Sequence, residues 1–340
     1  MKKSLYITAI AAVIGLVSCD KPNKLDEFVI QGAAQGSTYA VKFIAKEKVI
    51  SKTQLDSVFT VIDNSMSTWV PTSLISKVNA GDSTVVVDTH FKNVMAETEA
   101  IYKESDGLFD PTVGTLMKLY GFGPKKKFVR LSEEEHDSVM NLIGWDKIKL
   151  DTEGHVIKEY PEMYMDFNAI AQGYTVDVVL DFLREKGITD AIVEVGGELA
   201  AMGTNTLKNK SWVVGIDDPL QSPDEPRKLI AKIYLNNLGM ATSGNYRKVT
   251  VDSITGEKFV HTMNPKTGTS QKGKILSATV LASSTMRADG LATAFMAMDV
   301  EKSIEFIKRH PEIYVYFIYM DEQGEEQFYQ SDNFAKLVIE

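Results

Sequence analysis

Asp289 and Thr293 stand four residues apart in an Ala/Met-rich run over 285–298. On a helix that spacing puts a carboxylate and a hydroxyl on one face, with Cβ atoms about 6 Å apart. Such a pair suits a hard cation like Mg²⁺, which prefers oxygen ligands and takes few from protein when a phosphate completes its shell. The same spacing equally serves a surface aspartate and a threonine bonded back to its own helix. Asp166 and Asn168 lead an apolar stretch into a helix expected over 168–186 and ended by Gly187. The start of such a helix attracts phosphate through free amides and the helix dipole, although either side chain also serves as a plain cap. Gly196-Gly197 follows an apolar strand and offers backbone donors without side-chain bulk, or simply turns a hairpin. It matches neither a dinucleotide fingerprint nor a P-loop. Of the five histidines, His261 has the most suggestive setting, at the end of Lys258-Phe259-Val260 and before the turn 263–268. An imidazole there can act as a general base near neutral pH.

Mixed elements must position these groups. Alternation predicts strands over 38–44, 191–195, 212–216, 230–235, 276–281 and 313–319. Helical spacing marks 51–62, 91–102 and 285–298. Asp110-Pro111 reads as an N-cap followed by proline at the first helical position, and Lys125-Lys126-Lys127 as a solvated turn. Without strict βαβ alternation or internal repeats, the fold class expected is α+β, a mixed sheet and helices in one domain, with two packed lobes as a variant.

Hydrophobic residues make up 44% of the chain and charged residues 24%, the balance of an ordinary globular protein. The net charge of −9 argues against nucleic acid, whose phosphates need a basic surface. Cys19, the only cysteine, excludes both an intrachain disulfide and a thiolate zinc site. It closes Leu16-Val17-Ser18-Cys19 after Lys2-Lys3 and a short apolar stretch, which reads as an export signal too short to span a bilayer. That segment resembles a bacterial lipobox. The expected division is a signal peptide over 1–18, a lipidated Cys19 with polar tether over 19–29, and a catalytic domain over 30–340. Localisation is then extracytoplasmic, on the periplasmic side and lipid-anchored to a bacterial membrane, the inner one favoured by Asp20.

In order along the chain, several segments together resemble the ApbE family of FAD:protein FMN transferases. They are Gln35-Gly36-Ser37-Thr38-Tyr39, then Met66 to Ser73 running on to Lys77-Val78-Asn79. Gly107 to Gly114 with Tyr120-Gly121-Phe122-Gly123 follows, then Asp166 to Gly173 and Val195-Gly196-Gly197. Ser243-Gly244-Asn245-Tyr246, His261 to Gly268 and Ala288 to Thr293 complete the set. The family often carries Lys or Glu where this chain has Gln172, Met where it has Gln35, and Asn-Leu-Gly-Gly-Asn at 194–198. These departures touch flavin contacts more than metal ligands.

The resemblance implies Mg²⁺ held by Asp289, Thr293 and the Ala169 carbonyl, with FAD as substrate. Asp166, Gln172, Gln35, Trp69, Leu108, Phe109, Asp110, Gly196, Gly197 and Met263 are expected to contact the nucleotide. It further implies attack by a serine or threonine hydroxyl of an acceptor protein, part of a membrane redox complex, on the FMN-side phosphorus. AMP leaves, and His261 and Asp289 serve as catalytic residues. Alternatives on the same fold are an Mg²⁺-dependent FAD pyrophosphatase and a flavin-binding lipoprotein without turnover.

Overall fold

Chain alternation sets the framework. Along the second strand Tyr39, Val41 and Phe43 point one way and Ile44 the other, and all four are buried, so this strand belongs to a sheet covered on both faces. The protein is represented by a computed structural model that describes residues 24–122, 128–129, 131–218, 221, 228–244, 249–251, 258–260, 262–270 and 273–339. Its strands are β1 (Asp26–Ala34), β2 (Ser37–Ala45), β3 (Ile148–Leu150), β4 (Val156–Lys158), β5 (Asp190–Val195), β6 (Glu198–Met202) and β7 (Trp212–Asp217). They continue as β8 (Leu229–Leu235), β9 (Gly239–Gly244), β10 (Val249–Val251), β11 (Lys258–Val260), β12 (Ile275–Ala282), β13 (Tyr314–Met320) and β14 (Glu326–Gln330). The helices are α1 (Lys52–Met66), α2 (Leu74–Asn79), α3 (Thr89–Glu104), α4 (Gly114–Leu119) and α5 (Glu133–Met140). After them come α6 (Ala171–Glu185), α7 (Thr285–Met296), α8 (Val300–Arg309) and α9 (Asp332–Ala335).

Among the described residues, eight strands form one antiparallel sheet in the order β1-β2-β5-β6-β9-β12-β13-β14. One face carries helices. Leu55 and Phe59 of α1 and Val179 and Leu183 of α6 pack on Val41, Phe43 and Val193, while Phe91 and Ile101 of α3 and Leu291 and Phe295 of α7 form an adjoining core with Val280 and Phe317. The other face is covered by the β7–β8 hairpin and α9, through Trp212, Ile233, Leu235 and Phe334. The expected α+β class holds. One continuous sheet runs beneath both helical cores and makes a single domain rather than two lobes.

Two sequence boundaries are corrected. The tether expected over 19–29 ends sooner, because Asp26 to Val29 already belong to β1 and pair with Ala45 to Lys42. An edge strand with one solvated side accepts those polar residues. The helix expected from 168 begins at Ala171, with Asn168 in the preceding turn. Residues 1–23, which hold the export signal and Cys19, the Lys125-Lys126-Lys127 turn, Asn245-Tyr246 and His261 lie outside the described residues.

Candidate functional site

Helix α7 sits at the centre of the helical layer, and small residues let it do so. Ala288, Gly290, Ala292 and Ala294 are buried along it, and it meets α3, α6, β9 and β12. Three glycines allow the closest approaches. A Cβ on Gly173 of α6 would overlap the Thr285 carbonyl oxygen and stand 2.7 Å from Asp289 Cβ. One on Gly239 would overlap the Thr285 backbone, and one on Gly290 would run into Ile101 of α3. The pieces of sequence that meet here are far apart in the chain, so glycine at each is a packing requirement.

This approach places two carboxylates between helix starts. Asp289 is 6% exposed, and its Oδ2 accepts the Gly173 N–H at 3.0 Å, a donor in the first turn of α6. Asp177 returns the arrangement from α6. Its two oxygens accept the Thr285 and Met286 N–H groups, each at 2.8 Å, at the start of α7. Each helix is therefore capped by an acid from the other, in addition to the Ser284 cap on Arg287 N–H. Burial lifts both carboxyls well above the ordinary range; the backbone donors pull the other way, and a nearby carboxylate, Asp181 for Asp177 and Asp177 for Asp289, adds to the rise. An Asp289 so desolvated gains more from a bound cation than an exposed one.

The remaining expected metal ligands, Ala169 and Thr293, each lie one helical turn from a partner in the Gly173–Asp289 contact. Ala169 lies one turn before Gly173, and the Gly173 N–H that helical spacing would direct to the Ala169 carbonyl goes to Asp289 instead. Thr293 Oγ1 lies 3.4 Å from Ser243 Oγ on β9, one turn beyond Asp289. Asp289 Oδ1 takes no hydrogen bond among the described residues. A carboxylate oxygen, a hydroxyl and a released carbonyl make an all-oxygen set that fits Mg²⁺. No three His, Cys, Asp or Glu side chains among the described residues converge into a metal cluster, so the set considered has one carboxylate with a hydroxyl and a carbonyl.

Three loops around this centre are fastened by backbone and side-chain bonds. Asn79 pairs with Met165 in both directions, donating to its carbonyl and accepting its N–H, each at 2.8 Å. Asp166 N–H donates to the Pro111 carbonyl, and its carboxylate accepts both N–H groups of Asn168. Asp110 caps a short 3₁₀ turn at Pro111–Val113 as its sequence suggested, taking the Thr112 N–H and hydroxyl and the Trp145 N–H. Burial nevertheless pushes its carboxyl up to about 6. Asp110 thus fastens the loop that carries Leu108 and Phe109, and Phe109 packs in the core beside Gly290.

The other expected contacts divide into two groups. Gln172 touches Gly196, where a Cβ would strike its amide, and Gly196-Gly197 turns β5 into β6 with φ of +66° and +112°. Gln35, also at positive φ, donates to Thr175 Oγ1 at 2.9 Å, so the β1–β2 turn, the Gly-Gly turn and the first turns of α6 form one wall. Trp69 is 59% exposed on the loop between α1 and α2. Met263 is set apart. It is buried with Leu116 and Ile143 beneath α4. A cleft of about 400 Å³ lined by Tyr102, Gly107, Asp110, Gly144, Asp146 and Lys266 reaches none of Ala169, Asp289 and Thr293, and so is not the proposed centre.

The sequence assigns no role of their own to Asp177, Arg287 and Asn79, although Asn79 falls in one of the family-like segments. Arg287 donates to Glu97 Oε1 at 3.0 Å and Glu104 Oε2 at 2.7 Å, tying α7 to α3 two residues before Asp289. Glu97 and Glu104 are seven apart, a helical two-turn spacing that signals a shared face but names no partner.

Known proteins resemble this chain in both sequence and fold. The family model described as "ApbE family" matches residues 35–317. A Haemophilus influenzae protein named FAD:protein FMN transferase is 32% identical over 95% of both chains. A Vibrio cholerae protein of the same name is 32% identical over 88% of this chain and 89% of its own. The structure titled flavin transferase ApbE from Vibrio cholerae superposes with a TM-score of 0.80 at 30% identity, covering 92% of this chain and all of that one. The apo flavinyl transferase ApbE of Pseudomonas stutzeri follows at 0.77 and 29%, over 92% and 96% of the two chains. The chain belongs to the ApbE family.

Proposed function

We propose that this protein transfers the FMN moiety of FAD to a serine or threonine hydroxyl of an acceptor protein, releasing AMP, with Mg²⁺ required. The relatives' names support flavin transfer. The observation that carries the cation is the buried Asp289, with one oxygen uncommitted, beside Thr293 and the released Ala169 carbonyl. Mg²⁺ bound there supplies charge neutralisation on the pyrophosphate as the anhydride bond breaks. The Gln35, Gln172 and Gly196-Gly197 wall orients the nucleotide, and Trp69 shields it from water. The acceptor hydroxyl oxygen bonds to the FMN-side phosphorus, the P–O bond to AMP breaks, and the hydroxyl proton passes to His261. Lipidation at Cys19 holds the enzyme on the extracytoplasmic face of a bacterial membrane, the inner membrane favoured. Acceptors in membrane redox complexes lie within reach there.

The test incubates the protein with FAD, Mg²⁺ and a candidate acceptor, and looks for flavin fluorescence on the denatured acceptor. Stoichiometric AMP and no label on Ser→Ala or Thr→Ala acceptor variants are expected, and Asp289→Ala should abolish both products. Free FMN with or without acceptor would instead make the protein a pyrophosphatase. FAD retained intact would make it a binder.

A further inference from the structure

We infer that Asp177 is a positioning residue for the cation site, holding the Asp289 carboxylate in register with the Ala169 carbonyl. This rests on the reading of Asp289 as a cation ligand. The two oxygens come from different helices: Ala169 leads into α6, and Asp289 belongs to α7. The helices come closest where Gly173 meets the Thr285 backbone and Asp289, and apolar side chains of both, Tyr174 and Leu291 among them, share one core around that point. A glycine contact permits close approach, and apolar packing is non-directional. Directional bonds supply the fine register.

Three such bonds cross the α6–α7 contact. One is the Gly173 N–H to Asp289 Oδ2, which uses the ligand itself and is weakened whenever a cation draws on the same carboxylate. The other two are the Thr285 and Met286 N–H groups to the separate oxygens of Asp177. A bidentate grip on consecutive amides fixes both translation and rotation of the α7 start. Asp289 lies one turn on, four residues after Thr285, so a slip at those amides carries directly to its carboxylate. The opposite side is held by Arg287 against Glu97 and Glu104, which anchors α7 to α3 but leaves its register with α6 to Asp177. Asp177 accepts its hydrogen bonds from the Thr285 and Met286 amides and makes none with Asp289, Thr293 or an expected nucleotide contact among the described residues.

The experiment measures Mn²⁺ binding by electron paramagnetic resonance to the full-length wild type, Asp177→Asn, Asp177→Glu and Asp289→Ala, with and without saturating FAD. Asn keeps the shape but can accept through only one of the two positions. Binding to Asp177→Asn should weaken by about 10–100-fold, the usual cost of losing an outer-shell partner of a metal ligand. Glu keeps the charge but moves the carboxylate outward by a methylene, so it should weaken binding to an intermediate degree. Turnover of both variants should return to within about threefold of wild type when Mg²⁺ saturates, because the chemistry is unchanged once the cation is seated. Phe306→Leu, a buried change on α8, supplies a variant of lowered thermal stability that should keep wild-type Mn²⁺ affinity.

Unchanged Mn²⁺ affinity in Asp177→Asn, with binding abolished in Asp289→Ala, would overturn the positioning claim and leave the cation reading standing. Full affinity in Asp177→Glu beside a loss in Asp177→Asn would show that charge, not register, matters, and would also overturn it. Equal binding by wild type and Asp289→Ala would overturn the ligand reading and this inference with it. If Asp177→Asn does not fold, the Asp177→Glu titration decides alone: wild-type affinity refutes the claim, and weakening recovered at saturating Mg²⁺ supports it.

Discussion

Gly173→Ala is the sharpest test of how the α6–α7 contact is built. In an ordinary helix interior the change stabilises by about 1 kcal/mol, since glycine is the poorer helix former. Here the new methyl would overlap the Thr285 carbonyl oxygen and stand 2.7 Å from Asp289 Cβ. The first neighbour is backbone and cannot swing aside. Overpacking of this kind costs about 1–3 kcal/mol, and the rigid neighbour argues for the upper end. Parting the helices to relieve it stretches the Gly173 N–H to Asp289 bond, a bond to a charged group worth about 1.5–3 kcal/mol. The two costs share one displacement and do not add in full. Net destabilisation of about 2–4 kcal/mol is expected after the helix gain of about 1 kcal/mol.

Urea unfolding followed by circular dichroism reads this as a shift in midpoint at unchanged slope. Gly187→Ala is the comparison. Gly187 has φ of +79° and nothing within 4 Å of its would-be Cβ, so only conformational strain of about 1 kcal/mol applies there. A Gly173→Ala protein as stable as wild type, or one less affected than Gly187→Ala, would refute the close-packed contact.

Asp110→Asn should flatten the pH dependence of stability. The Asp110 carboxyl is raised from its ordinary value to about 6, so the folded state holds its proton more tightly than the unfolded state between pH about 4 and 6. Its contribution is therefore fully present below pH about 4 and is lost as pH rises through about 6, by up to about 3 kcal/mol. Urea midpoints at pH 4 and pH 7 whose difference is the same in variant and wild type would contradict this. His261→Ala should slow transfer by about 10²–10⁴-fold with less than about threefold change in FAD affinity. A large loss of FAD binding with an unaltered pH profile would remove the base assignment. Cys19→Ser should move the protein from the membrane to the soluble fraction with catalysis in vitro unchanged, since each buried lipid CH₂ contributes roughly 0.8 kcal/mol to anchoring. Retention of the variant through a carbonate wash would count against lipidation.

What could be read from the sequence follows the range of the forces involved. Local signals were accurate: Asp110 caps the turn at Pro111, Gly187 ends α6 at positive φ, and Gly196-Gly197 turns a hairpin. The Asp289–Thr293 spacing correctly put two oxygens on one helix, but spacing alone left open whether Asp289 is a surface residue. Its 6% exposure settles that. The start of α6 escapes local signals for a related reason. Asp166 and Asn168 look like nearby caps, whereas Asp166 binds Asn168 in the preceding turn and the acid serving Gly173 lies 116 residues on. Asp177 was invisible because an aspartate on the second turn of a helix reads as a solvated residue. Gln35 and Gln172, far apart in sequence, lie in the same wall at the start of α6.

The reciprocal caps also explain how the fold tolerates two acids so close together. Each helix start carries a partial positive charge and unpaired N–H donors, and each acid sits on the other helix's start. The dipoles and three hydrogen bonds offset part of the desolvation cost but not all of it, which is why both carboxyls stay raised. Asp289 is the more buried of the two, and one of its oxygens has no hydrogen bond among the described residues. A cation bound at that oxygen, as proposed above, would relieve part of the desolvation cost that raises the Asp289 carboxyl. On that proposal Asp177 commits both oxygens to the α7 amides, and Asp289 keeps one for the cation.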